Sequence, residues 1–156
     1  MSKVKHTHII GFTVRFTTVH VVTYLLFGIS FMLLSSYFDY FAQESMFSEV
    51  MKGPTELSVQ LAPLVQIVRG FLLSFALYPF RAVFIGRKAG WVRLFTVLFV
   101  LTSIGSVITG PGSIEGFLYT RFPFNPLVGY PEIALQMAAF SFVFCRWQSR
   151  SRSPID

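Results

Sequence analysis

Long apolar runs constrain this chain more than any other feature. They cover approximately residues 16–38, 58–80, 92–109 and 127–145. About 20 predominantly apolar residues suffice to carry an α-helix across the hydrocarbon of a bilayer. In hydrocarbon a backbone must satisfy its own polar groups, which leaves helices as the spanning element for runs of this length. The spacing therefore predicts an all-α, polytopic integral membrane protein. Its four transmembrane helices form a single domain over residues 1–156. Composition agrees. Only 13% of residues are charged and 53% are hydrophobic, whereas soluble domains carry about 25% charged residues to cover their surfaces.

The first run is too long for the core of a signal peptide. It ends in Ser36-Tyr37-Phe38-Asp39 rather than at a small-residue cleavage site, so it is expected to be retained. Charge then sets orientation, because Lys and Arg are held on the cytoplasmic side. Lys3, Lys5 and Arg15 precede the first run. Arg81, Arg87, Lys88 and Arg93 fall between the second and third, and Arg146, Arg150 and Arg152 follow the fourth. The opposite loops hold only Lys52 and Arg121 against Asp39, Glu44, Glu49, Glu56 and Glu115. Both termini are thus expected in the cytoplasm of a multi-pass cell-membrane protein. The net charge of +6 reflects topology and needs no nucleic acid partner. The expected partners are membrane lipids and further subunits, either identical or in a membrane complex.

Two outer loops have distinct character. In residues 39–57, Met46, Phe47, Val50 and Met51 share one side of a helical wheel, and Glu44, Ser48, Glu49 and Lys52 the other. That pattern predicts an amphipathic interfacial segment. Residues 110–131 are rich in Gly, Pro and aromatic rings, and are expected to fold back as an ordered cap. Glu115 and Arg121, its only charges, are available to pair, with Tyr119 among its rings.

Inside the spans the informative residue is Arg69, near the middle of the second. A guanidinium at that depth costs at least about 2.5 kcal/mol unless partnered. Glu132 is the only acidic residue in a span, and Gln66 and Gln136 lie at intermediate depths. A buried cluster of Arg69, Glu132, Gln66 and Gln136 is therefore expected, closed by outward snorkelling of Arg69. Along the first span Thr13, Thr17, His20, Tyr24 and Gly28 form a polar stripe at helical spacing. Helix packing explains such a stripe, and proton carriage by His20 is the sharper alternative. No second histidine lies in a span, which excludes bis-histidine haem within one chain. His6 and His8 lack the further ligands that a metal site needs, and the single cysteine excludes an internal disulfide. Neither cofactor nor metal is expected. Gly70 with Ser74, and Thr102 with Ser106 and Gly110, form small-residue ridges suited to close helix approach.

No nucleotide-binding, metalloprotease or serine-hydrolase motif occurs. The chain reads as a non-catalytic accessory, assembly or sensor subunit. One alternative is a small transporter or channel built on the Arg69 cluster. Another is a lipid-active enzyme using Glu115, Arg121, Glu132 and Arg69 beneath the outer cap.

Overall fold

The computed structural model describes residues 2–34, 56–106, 110, 112–121 and 126–151. All regular structure among them is helical. Helix α1 spans Ser2–Leu34, α2 Leu57–Gln60 and α3 Ala62–Leu77. After a 3-10 turn at Tyr78–Phe80 come α4 at Arg81–Phe84 and α5 at Gly90–Phe99. A π-helical stretch, Val100–Ile104, extends α5, and α6 (Ile114–Tyr119) and α7 (Pro126–Arg150) follow.

Among the described residues two helical stretches are long and apolar enough to cross a membrane: His8–Leu34, 27 residues, and Ala62–Phe84, 23 residues. Gly90–Ile104 is a shorter apolar stretch. The first helix starts well before residue 16. Phe12 already packs in the core, and Arg15, within the same helix, donates from its guanidinium to the Gln148 side chain of α7 at 3.0 Å. The last helix starts at Pro126, one residue before the apolar run expected from 127. Residues 126–131 are its first turns, with Pro131 inside it, so the outer loop ends before Pro126. Pro126 occupies the first helical position, where its missing N–H would have no helical partner anyway, whereas Pro131 lies beyond the first turn and removes one helical hydrogen bond. The amphipathic segment expected within residues 39–57 lies, up to residue 55, outside the described residues.

The long helices lie in a row. α1 packs between α3 and α7, and α7 packs between α1 and α5. Chain order is therefore not lateral order. The connector between α3 and α5 is tight. Pro79 has no N–H to continue α3, so the chain tightens into the 3-10 turn and restarts as α4. Gly86 (φ 70°) and Ala89 (φ 56°) then reverse it in the left-handed region. Gly90 comes so close that a Cβ there would stand 1.8 Å from the Phe84 carbonyl oxygen. Phe84 and Ile85 turn inward and are buried.

The core sits at this end of the bundle. Phe12 and Phe16 from α1, Leu94 and Leu98 from α5, and Phe140, Phe144 and Cys145 from α7 close around Phe84 and Ile85. Phe16 meets Phe140 and Phe144 edge-on, with ring centroids 4.8 and 5.0 Å away. Phe12 meets Tyr78 and Phe144 in the same manner. Edge-to-face geometry sets the positive ring edge against the negative ring face. We call this the basic end, since it carries Arg81, Arg87, Lys88, Arg93, Arg146 and Arg150. The opposite, loop end carries α2, α6 and the start of α7, where Leu34 and Leu127 are 86% and 84% exposed.

Candidate functional site

A polar seam between α1 and α3 is, among the described residues, where several sequence-predicted residues meet. On α3, Gln66, Gly70 and Ser74 recur every four residues and are all buried. They form the ridge that faces α1. At Gly70 a Cβ would lie 3.2 Å from the His20 ring and from both Cα and Cγ2 of Thr17, so glycine sets how closely the helices approach. The small-residue ridge thus serves the bundle itself. Ser74 turns its hydroxyl back to the Phe71 carbonyl at 2.7 Å, which spares it an unmet donor in the interface.

His20 is half-buried in this seam. Its Nε2 lies 3.2 Å from Oε1 of Gln66. An amide oxygen only accepts, so Nε2 carries the proton and donates. The ring also stands edge-on to Phe140, 5.9 Å between centroids. One face of the imidazole is therefore fixed by α3 and another by α7. Thr17 packs beside it, and its hydroxyl oxygen is buried without a hydrogen-bond partner. Tyr24 lies a turn further along α1, half-buried. Thr23, on the adjacent face, is buried and donates to the Val19 carbonyl at 2.8 Å.

The cluster of Arg69, Glu132, Gln66 and Gln136 is not assembled in this way. Gln66 belongs to His20. Arg69 lies one residue from Gly70, about 100° around the helix, and is exposed. Among the described residues it makes no hydrogen bond or ion pair, although it acts electrostatically on His20. Glu132 points at α1 instead, its carboxylate 4.0 Å from where a Cβ on Gly28 would sit. Gln136 is half-buried on α7. The physical reason is lateral. α1 stands between the helices that carry Arg69 and Glu132, and matching depth does not bring side chains together across an intervening helix.

The loop end holds a second ordered feature. Ser113 caps α6, accepting from the Gly116 N–H at 2.9 Å and donating to the Gly110 carbonyl at 2.9 Å. A Cβ on Gly116 would be 2.0 Å from the Gly110 oxygen, so this turn also requires glycine. The Tyr130 hydroxyl donates to the Gly112 carbonyl and ties the loop to α7. The described part of the loop is an ordered turn. Glu115 is half-buried, whereas Arg121 and Tyr119 are exposed. No ion pair joins Glu115 to Arg121 among the described residues. Nor do Glu115, Arg121, Glu132 and Arg69 form hydrogen bonds with one another there.

The seam can hold a proton on a fixed imidazole and lock two helices in register. Among the described residues no group of three metal-binding side chains comes together. The His20–Gln66 contact is not legible in the sequence, where the two residues fall on separate polar stripes and nothing orders the helices side by side. Comparison with protein-family models, curated proteins and solved structures finds no match for this chain.

Proposed function

We propose that the chain is a four-span membrane protein with both termini in the cytoplasm, acting as a non-catalytic accessory or assembly subunit of a membrane oligomer. The observation that carries the oligomeric reading is the setting of Arg69. It is exposed on α3, the edge helix of the row, among exposed Val65, Val68 and Leu72. A guanidinium facing hydrocarbon costs at least about 2.5 kcal/mol. A neighbouring subunit that covers this face and offers an acceptor removes that cost. The intrachain seam supports the same reading, because it is closed by packing and by an internally satisfied His20–Gln66 pair. Topology draws support from the basic end, where the Gly86 N–H donates to Ser149 at 3.2 Å and so sets the cationic connector beside the cationic end of α7.

Mass measurement of the chain in lipid nanodiscs tests the proposal. More than one chain per particle is expected, identical or partnered, and Arg69→Met should release the neighbour while the monomer keeps its melting temperature. A strictly monomeric particle in several lipid compositions would overturn it. Topology is read by labelling single cysteines in a Cys145→Ser background. Position 115 should react from outside and position 87 from the cytoplasm.

A further inference from the structure

The connector at the basic end borders an open surface cleft of about 500 Å³ lined by Ala82, Val83, Arg87, Lys88 and Arg93. This is within the size range of small-ligand sites, about 300–1,000 Å³. Two of its guanidinium groups are held by backbone. Arg87 Nε donates to the Ala82 carbonyl at 3.2 Å, and Arg93 Nη1 donates to the Val83 carbonyl at 3.3 Å. The loop between them is equally fixed by the Gly90–Phe84 approach, by buried Phe84 and Ile85, and by the Gly86–Ser149 hydrogen bond. The described acidic residues, Glu56, Glu115 and Glu132, all lie towards the loop end. Three cations are thus gathered around one cleft, two of them oriented, with no described carboxylate at that end.

We infer that this cleft binds the phosphate of an anionic phospholipid headgroup. Each oriented guanidinium keeps N–H groups beyond those given to backbone carbonyls, and phosphate oxygens match the spacing of that fork. The Lys88 ammonium adds a mobile donor. One wall is apolar. Val83 lines the cleft and is exposed, as is Phe80 three residues before it. That ledge provides for an acyl chain, which a soluble phosphate lacks. The lipid assignment rests on the membrane reading above, whereas the anion site rests on the cleft alone.

The test uses the full chain in neutral detergent, titrated with dihexanoyl phosphatidylglycerol, dihexanoyl phosphatidylcholine and inorganic phosphate. The anionic lipid should bind at least tenfold more tightly than either of the others. The double variant Arg87→Gln/Arg93→Gln should lose at least tenfold. A control with the same loss of charge at the same end, Arg146→Gln/Arg150→Gln, should change binding less than twofold. Should the glutamine variant fail to fold, Arg87→Lys/Arg93→Lys keeps the charge but lacks the fork, and should still lose severalfold. Equal losses in variant and control would reduce the effect to diffuse charge and overturn the site. Equal binding of phosphatidylcholine would do the same, and inorganic phosphate binding as tightly would overturn the lipid assignment. Flotation with neutral phosphatidylcholine vesicles reports separately on the membrane reading. Failure to float would sink that reading and leave the measured anion selectivity in place.

Discussion

The two ends of this bundle are built on different principles. At the basic end, aromatic rings from α1 and α7 interlock with residues of the connector and α5, and Phe16 and Phe144 are 0% exposed. At the loop end, the described helices expose their apolar residues, and order comes from individual hydrogen bonds such as Tyr130 to Gly112 and Ser113 to Gly116. Helices in hydrocarbon gain little from burying apolar surface, because lipid is as apolar as leucine; shape and close contact hold them together instead. The basic end has that contact. The loop end leaves its apolar surface exposed. The His20–Gln66 seam lies between the two regimes, combining close packing at Gly70 with one polar link.

The largest effect that tests this contrast is in the ring cluster. Phe144→Ala should lower stability by about 3–5 kcal/mol, the usual cost of truncating a buried phenylalanine, read from unfolding in detergent. Leu127→Ala at the loop end should change it by less than about 0.5 kcal/mol. Similar losses at both positions would break the comparison. Next come two glycines with similar steric conflicts but different surroundings. Gly90→Ala drives a Cβ into the Phe84 carbonyl, and should cost about 1–3 kcal/mol of global stability. Gly116→Ala meets the Gly110 carbonyl just as closely, yet should disturb only residues 110–120, visible as faster hydrogen exchange there with an almost unchanged melting temperature.

Smaller effects sharpen the boundary. His20→Ala and Gln66→Ala, combined in a double-mutant cycle, should show a coupling of about 0.5–1.5 kcal/mol, as one hydrogen bond provides. Additivity within error would mean that the seam is held by the Gly70 approach alone. Tyr130→Phe keeps the ring against Phe99 and removes only the hydroxyl, at a cost near about 1 kcal/mol. Its signature is loss of exchange protection around Gly112 while the aromatic core is unaffected.

Much of the fold was written along the chain. The α3 ridge was visible as Gly70 and Ser74 at helical spacing, and the polar stripe of α1 as Thr17, His20 and Tyr24. The start of α7 agrees with the apolar run from 127, and the loop expected over residues 110–131 overlaps its first turns from Pro126 to Pro131. The pairing of Arg69 with Glu132 followed from the cost of a lone guanidinium, the single acidic residue in a span and matching depth, none of which says which helices are neighbours.

That distinction separates what the sequence by itself determined from what only the tertiary structure decided. Helix type, the long apolar stretches and the gathering of cations at one end follow from the order of residues. Hydrophobicity and charge act on each segment separately, and a segment carries them wherever it packs. Lateral order has no such local carrier. It depends on whether the ring of His20 and the backbone of Thr17 fit the space above Gly70, and on whether Phe16 finds the edges of Phe140 and Phe144. Those fits involve residues far apart in the chain and act over a few ångströms. They placed α1 between α3 and α7, gave Gln66 to His20, and left Arg69 on the outer face.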